Sequence, residues 1–179
     1  IDTSTRYGGV CLRDDQRVVA SLSWYSSRNH TSELMPAVQQ VLMQAGKDTK
    51  DLSVVTVALG PGGFSALRVG ISVAKGMAFS LGIPLVGVGT LEIEVFPYAT
   101  MGWPACPILD IGRGGVASAL YCLVEEKWQR VMDDQIQSLE ALVEAISNRG
   151  YERVLFCGEG VETKGSLLRE ALGDMAVMP

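Results

Sequence analysis

Apolar residues recur with a 3.6-residue period over Ser32–Ala45, where Leu34, Met35, Val38, Val41, Leu42 and Ala45 make one stripe, and this spacing predicts an amphipathic helix. Thr31 or Ser32 is expected to cap it, with Pro36 in its first turn and Gly46 at its end. A second helix is predicted over Ser65–Leu81, free of proline and dense in Ala, Leu, Val and Met, with Ser65 as its cap and Gly82 and Pro84 as its stop. Around these helices the pattern changes to that of strands. Arg17–Trp24 alternates, with Val18, Ala20, Leu22 and Trp24 on one face, and the β-branched run Val54–Leu59 reads as a buried strand. Ile1–Thr5, Gly9–Leu12 and Leu85–Val88 complete the strands, Asp14-Asp15 makes a turn, and Leu91–Tyr98 is a helix capped by Thr90. The resulting order, β-β-β-α-β-α-β-α, is that of a ribonuclease-H-like domain.

The same order starts again. Pro107-Ile108-Leu109-Asp110 ends in Asp as Ile1-Asp2 does, and Arg113-Gly114-Gly115-Val116 answers Arg6-Tyr7-Gly8-Gly9-Val10. An acidic turn at Glu125-Glu126, a helix over Ser138–Arg149 with Leu139, Leu142, Val143 and Ile146 inward, and the strand Val154–Cys157 before Gly158-Glu159-Gly160 follow in turn. The fold class expected is therefore α/β, two tandem ribonuclease-H-like domains of the actin, sugar-kinase and Hsp70 (ASKHA) architecture. Residues 1–98 form the first domain and 99–179 the second, with the boundary near Ala99–Trp103. The second is expected to be incomplete, because Met175–Pro179 adds no closing element, and Ile1–Ser4 begins as the tail of a strand.

Two features carry candidate chemistry. Gly60-Pro61-Gly62-Gly63 joins a strand to a helix N-terminus, a geometry that often holds an anion, although no GxxxxGK[ST] or GxGxxG pattern is present. In this architecture Asp2, with Ser4 and Thr5, occupies the place that faces metal and phosphate; the alternative is that these side chains only cap the turn. Asp110 would be the second acid of a kinase or ATPase. A ribonuclease-type nuclease needs several carboxylates, and beyond Asp2 and Glu33 the strand ending Leu59-Gly60 lacks the third. His30 is the only histidine, which argues against a zinc peptidase and against a serine hydrolase, for which no GxSxG is present either. No catalytic residue and no metal site is assigned. The second feature is a ridge of small residues, Ala66, Gly70, Ala74 and Ala78, flanked by Leu67, Ile71, Val73 and Met77. It serves either close packing on the protein's own sheet or a subunit interface.

Composition narrows the setting. The 179 residues are 47% hydrophobic, enough for a sizeable core, and the formal charge of −5 argues against a whole-surface grip on nucleic acid. Cys11, Cys106, Cys122 and Cys157 have no CxxC spacing and read as buried free thiols of a reducing compartment. No run approaches the ~18 uninterrupted apolar residues of a membrane span, and no signal peptide is visible, so the expectation is a cytoplasmic protein with no membrane contact.

Ile1-Asp2-Thr3-Ser4-Thr5, His30-Thr31 before Leu34-Met35-Pro36, Gly60-Pro61-Gly62-Gly63-Phe64-Ser65 with Leu67-Arg68-Val69-Gly70, and Gly87-Val88-Gly89-Thr90-Leu91 closely resemble the TsaB (YeaZ) family. Asp110–Tyr121 resembles a further family segment, with Ile111 and Gly112 departing from its usual Ala-Arg. The resemblance implies a non-catalytic dimerisation subunit of the bacterial system that makes threonylcarbamoyladenosine at position 37 of tRNA. Implied partners are a TsaD-like catalytic subunit, a TsaE-like ATPase and, in isolation, a second copy; tRNA is met only through the complex. No cofactor is held firmly, and ATP or ADP binds only at the complex interface. The residues expected at that interface are Leu34, Val38, Val41, Phe64, Ala66, Leu67, Gly70, Ile71, Ala74 and Met77, and a vestigial nucleotide or loop site is expected at Asp2, Ser4, Thr5, Gly60, Gly62, Gly63 and Asp110. On this reading Gly70→Leu leaves the monomer folded and abolishes pairing.

Overall fold

The computed structural model describes every residue except Gln16, Arg28 and Arg113. The chain divides into two compact units, Ile1–Thr90 and Leu91–Pro179. In the first, β1 (Tyr7–Asp14) and β2 (Arg17–Tyr25) form an antiparallel hairpin, α1 spans His30–Gln44, and β3 (Val55–Ala58) is joined through α2 (Phe64–Leu81) to the parallel strand β4 (Leu85–Val88). The expected strand at Ile1–Thr5 is reduced to a stitch between these pairs. Asp2 exchanges backbone bonds with Gly9 (2.8 Å each way), while Ile1 donates to the Thr56 carbonyl (3.0 Å) and accepts from the Ala58 N–H (3.1 Å). The spatial order is thus β2, β1, Ile1-Asp2, β3, β4.

Helices α1 and α2 bury their apolar sides on this sheet, α1 against Val10 through Leu34, Ala37, Val38, Val41 and Leu42, and α2 against Val55 and Val57 through Ala74 and Ala78. Full burial of a Leu or Val side chain is worth about 1.5–3 kcal/mol, so these stripes hold the helices in place. The caps differ from those the sequence suggests. Helix α1 starts at His30, with Asn29 as N-cap and no side-chain cap bond, so Pro36 lies in the second turn and removes an N–H there. Helix α2 starts at Phe64 behind Gly63, so Ser65 is not its cap. Both C-termini close as expected: Gly46 (φ +61°) lets Lys47 bond the Leu42 carbonyl at 3.0 Å, and Gly82 (φ +66°) lets Ile83 bond that of Ala78 at 3.1 Å.

The second unit repeats the plan. After α3 (Thr90–Val95, whose first residue closes the first unit) and a 3₁₀ segment over Phe96–Met101 come β5 (Ala105–Gly112), β6 (Gly115–Val124), β7 (Lys127–Ser138), α4 (Leu139–Ser147), β8 (Val154–Cys157), α5 (Val161–Leu172) and β9 (Ala176–Val177). The sheet order is β7-β6-β5-β8-β9, with β5 in the place that Ile1-Asp2 takes in the first unit. The turn residues Asp15, Glu125 and Glu126 all have positive φ, the left-handed geometry the two acidic hairpin turns require. Strand β9, paired to β8, supplies an element where none was expected. The division also falls earlier than residue 98, because Leu91 and Val95 are fully buried among Ala105, Leu109, Leu155 and Cys157 of the second unit. Cys106, Cys122 and Cys157 are buried, whereas Cys11 is exposed, contrary to expectation. Burial pushes the Cys157 thiol up to about 12, which leaves it unreactive.

Candidate functional site

Of the residues of the expected loop site, Ser4 lies against the glycine loop at Gly62 and Gly63, whereas Asp110 belongs to the second unit. Asp2 Oδ1 accepts from the Ser4 N–H (2.8 Å) and the Ser4 hydroxyl (2.6 Å), and Thr5 Oγ1 accepts from the Tyr7 N–H (3.1 Å). Thr3, Ser4 and Thr5 are buried, Thr3 against α2, Ser4 under the glycine loop and Thr5 beside His30. The Gly63 N–H donates to the Ser4 carbonyl (2.9 Å), the Gly60 carbonyl accepts from Thr90 (2.9 Å), and a Cβ on Gly62 would fall on the Ser4 carbonyl oxygen. The glycines are needed for this close approach of two backbones. His30, from the start of α1, completes the joint: its Nε2 lies 3.0 Å from the Thr5 carbonyl, and since a carbonyl only accepts, that nitrogen carries the proton. The single histidine and the Asp-Thr-Ser-Thr turn therefore hold backbone together. Glu33 is likewise engaged; the Ser26 hydroxyl, then the Trp24 indole N–H at 2.9 Å, hold its carboxyl below the usual range.

Asp110 plays the corresponding part in the second unit. Its Oδ1 accepts from the Gly112 N–H (2.8 Å), its Oδ2 accepts from the Thr163 hydroxyl (2.8 Å), and Lys164 Nζ stands 3.3 Å away. The backbone bond from Gly112, then the Thr163 hydroxyl, then Lys164 hold its carboxyl below the ordinary value. The folded value is the depressed one, so the stability Asp110 contributes is full above the unfolded value of about 3.9 and is lost as the pH falls through the folded value. Asp110→Asn is expected to lower stability by about 1 kcal/mol at neutral pH and to flatten the acid limb of stability against pH, read by urea unfolding at several pH values.

The interface set divides. Leu34, Val38 and Val41 are buried in the core of the first unit, and Gly70 and Ala74 are buried where α2 meets its own sheet. Thr3 Oγ1 donates to the Ala66 carbonyl (2.7 Å) beside Gly70, and a Cβ on Gly70 would fall on that hydroxyl. Those five residues are thus corrected from interface to interior, since the small-residue ridge is what lets α2 approach its own sheet and the Thr3 side chain. Ala66, Leu67, Ile71 and Met77 lie half-buried on the flanks, and Phe64 faces outward, 68% exposed.

The open side of α2 is a different stripe: Phe64, Arg68, Ser72, Lys75, Gly76 and Phe79, the last 91% exposed. Beside it α1 exposes Met35, Gln39, Gln40 and Met43. Across both helices only Glu33, Arg68 and Lys75 are charged. An apolar face enriched in Met, Phe and Arg and poor in carboxylates has the makeup of a protein interface. Helix α2 also has the length and composition of a membrane span, with mean hydropathy 1.2 over its 18 residues. On α2, folding does not require a glycine at Gly76, because a Cβ there would meet nothing within 4 Å. Gly76→Ala is therefore expected to raise stability by about 0.5–1 kcal/mol in a thermal or urea unfolding experiment.

Residues 24–176 match the family model of TsaD, tRNA N6-adenosine threonylcarbamoyltransferase. The Bacillus subtilis (strain 168) tRNA threonylcarbamoyladenosine biosynthesis protein TsaB is 32% identical over 97% of this chain and 75% of its own length. Among solved structures, a Pseudomonas aeruginosa protein described as similar to peptidase YEAZ superposes with a TM-score of 0.83 at 23% identity, covering 99% of this chain and 80% of that one. YeaZ from Pseudomonas aeruginosa superposes at 0.67 with 26% identity, covering 78% and 65%. The α/β fold is theirs, and with a third of its residues shared along nearly its whole length with the Bacillus subtilis protein, the chain belongs to the TsaB family of tRNA threonylcarbamoyladenosine biosynthesis proteins.

Proposed function

We propose that this chain is a non-catalytic partner subunit that pairs with a TsaD-like transferase and supports threonylcarbamoyl transfer to adenosine 37 of tRNA. The observation that carries this reading is the open face of α1 and α2, with Met35, Met43, Phe64 and Phe79 exposed among almost no charges. The loop site supports it from the other side. Asp2, Ser4, Thr5, Gly62, Gly63 and Asp110 spend their bonding on their own chain, so the parts from which a kinase would be built serve as structure. His30 is buried, with its Nε2 given to the Thr5 carbonyl.

Within this reading the two units are tandem ribonuclease-H-like domains, and the chain works in the cytoplasm without membrane contact. A TsaE-like ATPase joins the assembly, ATP or ADP binds only at the complex interface, and tRNA is reached through the transferase. A second copy can occupy the same face when the transferase is absent. The test is reconstitution of the modification on unmodified tRNA, reading threonylcarbamoyladenosine by mass spectrometry. The expected result is product only when chain, transferase and ATPase are combined, and none from the chain alone. Full-rate product without the chain, or product from the chain alone, would overturn the proposal.

A further inference from the structure

We propose that the Asp2–Thr5 turn is a conformational coupling element: it fixes the starts of α1 and α2 together, so that loosening one helix start loosens the other. The coupling lies within the first unit and depends on no partner.

A helix start carries N–H groups with no partner inside the helix, and a side chain just ahead of it usually takes one of them. Neither long helix of the first unit has such a cap, since Asn29 and Gly63 precede α1 and α2 without a side-chain bond. In the second unit, by contrast, Ser138 caps α4 in the ordinary way. Helix α1 is weakened once more at Pro36, which has no N–H to offer one turn back.

What holds both starts is one run of three residues. Thr3 Oγ1 donates to the Ala66 carbonyl in the first turn of α2 (2.7 Å), and the Ser4 carbonyl accepts from the Gly63 N–H just before that helix (2.9 Å). The Thr5 carbonyl accepts from His30 Nε2 at the first residue of α1 (3.0 Å). Asp2 Oδ1 takes both the N–H and the hydroxyl of Ser4, which stiffens the turn between these anchors. There is no slack on the α2 side, where a Cβ on Gly62 or Gly70 would fall on Ser4 or Thr3. On the α1 side the hold is single. His30 Nδ1 is buried with no partner among the described residues, so Nε2 alone bonds the ring to the turn. An α1 start that opens at His30 releases the Thr5 carbonyl, and the turn can then give at Ser4 and Thr3, where it meets α2. The dependence runs equally the other way, because coupling between two sites is reciprocal.

The helices also pack along their length, with Val69 and Val73 against the α1 core, so coupling by that route has to be told apart from coupling through the turn. Glu33 does so, because its bond from Trp24 ties the first turn of α1 to β2 and bypasses the turn. Amide hydrogen exchange of the chain alone is the measurement. His30→Leu removes the donor and keeps an apolar bulk, His30→Gln keeps a donor of comparable reach, and Glu33→Ala cuts the other tie. His30→Leu is expected to speed exchange about tenfold at Ser32 and Glu33, whose N–H groups bond the Asn29 carbonyl, and at Leu67, whose N–H bonds that of Gly63. His30→Gln returns Leu67 to within about twofold of wild type, whereas Glu33→Ala speeds Ser32 and leaves Leu67 unchanged. Thr3→Val gives the converse, faster exchange at Ser32 and Glu33 as well as at Leu67, and its effect on Leu67 adds less than fully to that of His30→Leu. Leu67 unmoved by His30→Leu, or moved as much by Glu33→Ala, overturns the proposal. So does acceleration spread evenly over all of α2, which marks a loss of overall stability instead. Should His30→Leu fail to fold, Thr3→Val decides: unchanged exchange at Ser32 and Glu33 overturns the coupling.

Discussion

Phe79→Glu is expected to abolish pairing with a TsaD-like transferase while leaving the chain as stable as wild type. The side chain stands 91% exposed on the last turns of α2, so folding does not use it. Substitutions at such positions change stability by about 0.5 kcal/mol or less. A large aromatic that a partner covers is another matter, since truncating such an anchor costs about 2–4 kcal/mol, or roughly 30- to 1000-fold in affinity. Glu adds the cost of burying an unpaired carboxylate, which takes the loss beyond detection in a calorimetric titration. Leu34→Glu would not make the same test, because Leu34 is wholly inside the first unit and its loss would unfold the face along with the interface. An unchanged affinity for Phe79→Glu at an unchanged melting temperature would remove α2 from the account.

Gly70→Leu is expected to unfold the first unit, the opposite of what the small-residue spacing alone suggests. The first added carbon falls on Thr3 Oγ1, and the rest of the side chain has nowhere to go, since Gly70 is buried between α2 and the Asp2–Thr5 turn. The Thr3 hydroxyl must leave the Ala66 carbonyl, which strands a buried donor and loosens the turn on which Gly62 and Gly63 rest. Overpacking and a lost buried bond together cost about 3 kcal/mol or more, a large share of the ~5–15 kcal/mol that holds a domain together. Loss of far-UV ellipticity, or a melting temperature lower by 10 °C or so, is the expected reading. A native spectrum with an unchanged midpoint would show that Thr3 and α2 are not in contact in solution.

These two residues mark how far the sequence could be read. Element order was legible as far as Cys157, because each helix carries its own apolar period and each strand its own β-branched run, and Leu85–Val88 and Val154–Cys157 coincide with observed strands to the residue; α5 and β9 beyond them were not among the elements expected. The repeat was legible for the same reason, since Asp2 and Asp110 each accept a bond from the backbone two residues on. What spacing could not reveal was direction. A ridge at Ala66, Gly70, Ala74 and Ala78 has the same period whether it faces the chain's own sheet or another protein, and only Thr3, 67 residues away from Gly70, settles the matter. The complementary stripe through Arg68, Ser72 and Phe79 was present in the same helical period and was passed over because polar positions usually face water. Cap positions slipped for a local reason: the bonds around Asn29 and Gly63 start the helices earlier than the nearest Ser or Thr would suggest.

The account turns on which surface meets the transferase, and amide hydrogen exchange of the chain with and without a TsaD-like transferase reads this directly. Slowed exchange confined to 30–44 and 64–81 is the predicted result, with the Asp2–Thr5 turn unchanged because its bonds are already made within the chain. Protection centred on the Asp2–Thr5 turn and Gly60–Gly63, with α1 and α2 unaffected, would contradict it and return the glycine loop to the status of a binding site.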